Sequence, residues 1–381
     1  MSLKVLQILQ RSRIMKGECL MKKRIYYRMC KIFIYVLFIL CVLASGWAKG
    51  KKQLQDEIPI QQKKTDLLAG QAIAVAYSGF RHGQHPDRGT GAVNPTDKEI
   101  LEDLTILSRD SNFGLIRLYD SRDNTESVLE LIDSNNINLK VMLGIWLSAE
   151  VSNHEGCPWL IQPIPQETLD ANKVLNKLEI DNAIRLAKKY PNIVVAINVG
   201  NEALVNWTDH MVTQDSILAY VRKVKNMVSQ PVTVADNYAW WIENGLPLVQ
   251  EIDFFTVHSY PIWEGKDIDE GLAYTIENIQ AVRKVFPKSK IVIGEAGWAT
   301  IASEFGDRAS EEKQQRYYNE ITAWSAKMNI TTFIFEAFDE DWKGNPDNPL
   351  GAEKHWGLFT VDRKAKLVMY ERYHDLIPVK D

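Results

Sequence analysis

Cysteine is scarce where it could staple a fold. Three of the four cysteines, Cys19, Cys30 and Cys41, lie near the front of the chain, and only Cys157 lies beyond them. The main body therefore forms no internal disulfide, and at its length it needs none. Basic residues are also short there. Residues 1–64 carry 14 Lys/Arg against 3 Asp/Glu, whereas residues 65–381 carry 31 against 46. The formal net charge of −4 thus averages a leader of +11 and a body of −15. An acidic body argues against nucleic acid as a partner, because phosphate neutralisation needs a basic face. The one extended apolar run, Ile32 to Ala44, has 13 residues, short of the ~20 that span a bilayer comfortably. No Gly-rich phosphate loop follows the first strand-like segment, and no Ser or Cys nucleophile arrangement is present. His82 and His85 lie three apart, but no acid or Cys at ligand spacing joins them, so they read as loop contacts rather than a metal pair. Neither metal nor cofactor is expected.

What is present begins with the leader. Nine Lys/Arg precede Ile32, and Ser45-Gly46-Trp47-Ala48 follows the apolar run. A charged region, an apolar region and small residues in that order predict a cleaved signal peptide. The alternatives are an uncleaved membrane anchor over residues 32–48 and a lipoprotein at Cys41, where Leu40 occupies a position that normally takes a small residue. Met21, just before Lys22-Lys23-Arg24, is a second candidate start. Either way the protein is expected to be exported: periplasmic, cell-surface or secreted. Residues 1–48 are read as signal or anchor, 49–64 as a basic, Gln-rich linker, and 65–381 as one catalytic domain. Asn206-Trp207-Thr208 and Asn329-Ile330-Thr331 match glycosylation sequons, a pattern that often matches by chance.

The body repeats one unit. A short β-branched or aromatic run precedes a longer segment of helical periodicity. The runs are residues 72–79, 114–120, 139–147, 193–202, 231–238, 254–260, 290–298 and 331–340. They are almost continuously apolar, as strands buried on both faces should be. A first helix is marked by a capping box, Thr96 with Glu99, and by the stripe Ile100, Leu101, Leu104, Leu107. Others are expected near residues 121–135, 169–189, 213–229, 241–250, 269–286 and 310–328. Eight strands, each followed by a helix, predict a (β/α)8 TIM barrel with its site at the C-terminal strand ends.

Two of those ends carry a lone glutamate after a buried apolar run: Val199-Gly200-Asn201-Glu202 and Gly294-Glu295-Ala296-Gly297. An ionised carboxylate there is costly unless something requires it. Each alone could be a structural ion pair. Two facing each other across a barrel mouth are what glycosidic cleavage needs.

These stretches, with Arg117-Leu118-Tyr119-Asp120, the run Phe335-Glu336-Ala337-Phe338-Asp339-Glu340, Trp342-Lys343, Glu353 and Trp356-Gly357-Leu358-Phe359, carry a resemblance. Over residues 70–375 the chain resembles glycoside hydrolase family 17, the β-1,3-glucanase family of clan A. The strand-8 form looks more like microbial members than plant ones, where an apolar residue usually stands at Glu336. The resemblance implies a retaining mechanism with Glu295 as nucleophile and Glu202 as acid/base. It implies that Asn201 holds a sugar hydroxyl, that Tyr260 hydrogen-bonds the nucleophile, and that Glu340, Lys343 and Glu353 form a polar cluster on the eighth loop. A surface salt-bridge network is the plainer reading of that trio. His258, Tyr119 and Tyr77 close the sixth, second and first strands and complete the candidate substrate-binding set. For a buried His, backbone pairing is the commoner case.

Ten of the 11 tryptophans lie in the body, and nine fall at strand ends or in the loops after them. Flat rings bury the apolar face of a pyranose with few torsions frozen. Trp298 and Trp263 are the leading candidates for such contacts. The expected activity is hydrolysis of laminarin-type β-1,3-glucan by a monomer. The alternatives are transglycosylation by the same two glutamates, a non-catalytic glucan-binding surface protein, and a metal-dependent barrel enzyme.

Overall fold

The structure, a computed structural model, describes residues 59–378 except 88, 89 and 123. The expected signal or anchor, and most of the expected linker, lie outside the described residues. Among the described residues no helix is long and apolar enough to cross a membrane.

Eight strands form a closed parallel barrel in chain order. They are β1 Ile73–Ala76, β2 Phe113–Arg117, β3 Lys140–Ile145, β4 Val194–Asn201, β5 Val232–Asn237, β6 Phe255–His258, β7 Ile291–Ala296 and β8 Thr332–Ile334. β8 closes the ring on β1, pairing Phe333 with Ala74 and Ile334 with Val75. Among the described residues seven α-helices pack outside: α1 Asp97–Ser108, α2 Thr125–Ser134, α3 Gln166–Lys189, α4 Gln214–Met227, α5 Tyr238–Asn244, α6 Ile268–Val285 and α7 Glu311–Met328. The Thr96 box forms as the sequence predicts, with the Thr96 side chain accepting from the Glu99 amide. Thr213 and Ser310 cap α4 and α7 in the same way.

Alternate residues along each strand face in and out. The floor of the barrel is a buried cluster of Ala74, Leu115, Met142, Ala196, Phe254, Val292 and Phe333, against which Leu68 and Ala69 pack. Outward-facing Val75, Ile116, Leu143, Ile197 and Ile293 join the larger core with Leu104, Leu129, Ile184 and Ile321 of the helices.

Three expectations need correction. β8 is followed by no α-helix among the described residues. The stretch after it contains Gly344, Asn345, Pro346, Asn348, Pro349 and Gly351, which break helices, and only short 3-10 turns follow. Residues 335–340 also leave the sheet. The Phe335–Glu336 peptide is cis, and Phe338 forms an isolated bridge to Phe359. The linker boundary differs too. Ile60 and Gln62 are buried: Gln62 gives its amide N–H to Ile291 O (2.9 Å) and accepts from Ile291 N (2.7 Å). The front of the domain thus closes the barrel's N-terminal end and leaves the C-terminal end for chemistry.

Candidate active site

Glu295 stands on β7 with its side chain only 7% exposed. Its Oε1 accepts from Arg117 Nη1 (2.9 Å) and Tyr119 Oη (2.9 Å), and its Oε2 accepts from Tyr260 Oη (2.7 Å). Burial alone would push this carboxyl up. The Arg117 charge and the two phenol hydrogen bonds oppose burial, and the carboxyl is held below the usual carboxylate range. Both tyrosines are pushed well above the ordinary phenol value by burial and by the Glu295 charge, so they remain donors.

Glu202 follows β4 on a strained turn. Its φ is 46° and that of Gly200 is 79°, a left-handed conformation that costs a non-glycine residue energy and is held only where surrounding structure enforces it. Asn198 Nδ2 donates to Gly200 O (2.8 Å), and Glu202 N donates to Ala235 O (2.9 Å). The buried Asp236 carboxylate accepts from the amides of Leu204 and Asn237 (3.2 and 2.8 Å). The result is a Glu202 side chain 25% exposed at the barrel mouth.

One imidazole links the two glutamates. His258 Nδ1 lies 2.9 Å from Glu202 Oε1 and 3.5 Å from Glu295 Oε2. The facing oxygens are therefore separated by no more than the sum of those distances, compatible with the ~5–5.5 Å of retaining carboxyl pairs. Gly294 makes room for this arrangement, since a Cβ there would lie 3.0 Å from His258 Nε2 and closer to Thr256.

Arg117 ties the site together. Fully buried at the end of β2, it donates to Glu295, to Gly294 O (2.9 Å) and to Asn201 Oδ1 (2.5 Å), and its Nη1 lies 3.0 Å from His258 Nε2. The Asn201 carbonyl meets His210 Nε2 at 2.8 Å, and His210 packs against Trp146 with ring centroids 4.4 Å apart.

The eighth loop supplies a second cluster. Lys343 Nζ lies 2.7 Å from Glu336 and 2.5 Å from Glu340. Glu340 also accepts from Ser78 Oγ (2.5 Å) and Trp342 Nε1 (2.8 Å). Glu340 is fully buried and the Lys343 side chain is 15% exposed, so this is not a surface network. Burial and the Glu340 charge push Glu336 well up, against the Lys343 charge. Glu353 is pushed up by burial and, more weakly, by the charges of Glu295 and Glu202, which places it within their field.

Several predicted site residues are placed elsewhere. Tyr77 is 2% exposed and donates to Asp103 at 3.2 Å; it belongs to the core. Trp298 is 1% exposed, donates to Arg308 O (2.8 Å) and packs on Tyr317. It fills space between β7 and the helices and cannot form a sugar platform. His258 is buried behind the carboxylates and offers no surface to a substrate. Trp263 is 47% exposed, standing edge-on to Phe305. Nothing local in the sequence assigns a role to Arg117, or marks Ser78, Glu336 and Trp342 as partners of the eighth-loop cluster. An arginine ending a fully buried run was the available signal, because Arg is almost never buried unpaired. His82 pairs with Asp341, and among the described residues no group of three or more metal ligands forms. A cavity of about 290 Å³ beside Lys354, His355 and Val361 is lined by neither Glu202 nor Glu295.

Comparison with known proteins places this geometry in a lineage. The BtgE/BtgC glycoside hydrolase domain matches residues 74–357. A glucan 1,3-beta-glucosidase of Arthroderma benhamiae is 25% identical over 266 residues, covering 66% of this chain and 78% of that enzyme. The crystal structure of an endo-laminarinase from Formosa Hel1_33_131 superposes with a TM-score of 0.70 at 28% identity, covering 82% of this chain and 89% of that one. A glycoside hydrolase family 17 beta-1,3-glucanosyltransferase from Rhizomucor miehei shares the fold at 21% identity, with a TM-score of 0.58 and coverage of 78% and 96%. The matched span takes in every barrel strand from Ala74 onward and both strand-end glutamates, so the chain belongs to the BtgE/BtgC glycoside hydrolase family, of the family 17 type.

Proposed function

We propose that the chain is a retaining β-1,3-glucan hydrolase in which Glu295 attacks the anomeric carbon and Glu202 is the acid/base. The observation that carries this reading is the pair itself: one carboxylate kept ionised by buried donors, the other half-open at the mouth, both touching one imidazole. Glu295 forms a bond to the anomeric carbon as the glycosidic C–O bond breaks. The departing oxygen takes the bond electrons and a proton from Glu202. Glu202 then removes a proton from water, which displaces Glu295 and regenerates the enzyme. Laminarin-type glucan is the substrate class suggested by the names of the A. benhamiae and Formosa proteins. Asn201, Glu353 and Trp263 are proposed sugar contacts. Export and action on extracellular glucan follow the same relatives and the basic leader; the chain is proposed to act as a monomer.

Kinetics on β-1,3-, β-1,4- and mixed-linkage glucans test the reading. The expected result is a marked preference for β-1,3 chains and a loss of at least ~10³-fold in E295A, or about 4 kcal/mol of transition-state stabilisation. Preference for β-1,4 chains, or substantial activity in E295A, contradicts it. The same time course distinguishes transfer from hydrolysis, since transfer yields products longer than the starting oligosaccharide.

A further inference from the structure

We infer that His258 is a positioning residue locked in one tautomer, whose single Nδ1–H is shared between Glu202 and Glu295 and follows the negative charge from one to the other during turnover. This rests on the acid/base and nucleophile roles proposed above.

The tautomer follows from what each ring nitrogen faces. Nε2 lies 3.0 Å from Arg117 Nη1. A guanidinium nitrogen only donates, so Nε2 accepts and the ring proton resides on Nδ1. Arg117 cannot turn away, because the same guanidinium is held by Glu295, Gly294 O and Asn201. The ring cannot turn either: it is fully buried on β6, and it lies against the space left by Gly294. Nδ1 then has two acceptors and one proton, with Glu202 Oε1 at 2.9 Å and Glu295 Oε2 at 3.5 Å. The Tyr119 and Tyr260 phenols both donate to Glu295. Asp236, on the β5 side of Glu202, accepts from backbone amides. His258 is thus the side-chain donor within reach of both carboxyl groups.

The chemistry moves one negative charge across this pair. Before attack, Glu295 is the carboxylate and Glu202 holds a proton. When the glucosyl ester forms, Glu295 becomes neutral; when the departing oxygen takes its proton, Glu202 becomes the carboxylate. An N–H placed between them stabilises whichever oxygen is charged, with no proton leaving the ring.

Two measurements test this. Nitrogen-15 NMR of the intact, imidazole-labelled protein should show His258 protonated at Nδ1 and bare at Nε2. A proton on Nε2 overturns the inference. Kinetically, H258N keeps an N–H near the Nδ1 position, while H258L fills similar space without one. With β-1,3-gluco-oligosaccharides H258L should lose about ten- to a hundredfold in kcat. H258N should keep most of that rate, because it restores the donor. Full activity in H258L, or equal loss in both variants, overturns the inference, and the NMR result decides alone where H258L does not fold. E202A with an activated aryl β-glucoside and azide checks the underlying roles separately. A β-glucosyl azide product supports them, and its absence removes the acid/base assignment while leaving the tautomer result intact.

Discussion

At the scale of single residues, the site depends on donors aimed at one buried carboxylate. Glu295 accepts from Arg117, Tyr119 and Tyr260, and each favours its charged form. A carboxyl held down in this way stays ionised to lower pH, so activity should persist on the acid side until below the ordinary glutamate value of about 4.3. Y260F removes one donor: kcat/KM should fall about ten- to a hundredfold, and the acid limb should shift upward. An unshifted limb would assign Tyr260 to packing alone. The two glutamates were legible in the sequence because a charged residue ending a buried run is expensive, and each sits near a glycine. Tryptophan was less legible. Position after a strand predicted exposure equally for Trp298 and Trp263, but burial depends on neighbours remote in sequence, such as Tyr317 and Arg308 for Trp298. W298A should destabilise the fold by about 3–5 kcal/mol. W263A should change stability by less than ~0.5 kcal/mol and raise KM several-fold. Denaturant unfolding and saturation kinetics of the two variants separate the roles.

At the scale of elements, the decisive feature is the turn after β4. Gly200 at φ 79° and Glu202 at φ 46° bend the chain so that the glutamate leaves the sheet at the mouth. A Cβ at Gly200 would sit 3.1 Å from Ile217 Cδ1 of α4, and an L-residue there adopts a left-handed conformation that costs ~1–2 kcal/mol. G200A should therefore lower Tm and lower kcat together, as followed by circular dichroism and laminarin hydrolysis. A stable, fully active G200A would show that the turn is not set by this glycine. The sequence made the strand and helix alternation readable through apolar periodicity and capping residues such as Thr96. It did not reveal that β8 stops after three residues. The apolar run continues through Phe338, and periodicity cannot tell a buried strand from a buried irregular segment.

At the scale of the whole molecule, the barrel is sealed at one end and reactive at the other. Gln62, read from composition as part of a solvated linker, pairs with both polar groups of Ile291 across more than two hundred residues. Such a contact leaves no local signature, which is why it was invisible in the sequence. Q62A would strand a buried amide and carbonyl and should cost about 1–3 kcal/mol of stability with kcat unchanged, since the carboxylates lie at the opposite end. The acidity of the body now divides by position. Glu202, Glu295, Glu336, Glu340 and Glu353 converge at the C-terminal strand ends, where a neutral glucan is a suitable substrate and a polyanionic one is not. The central claim is that two of these carry out a double displacement. Proton NMR of the first sugar released from a β-1,3-oligosaccharide, recorded before mutarotation, tests it most directly. The β anomer is the predicted product, and initial release of the α anomer would contradict the account.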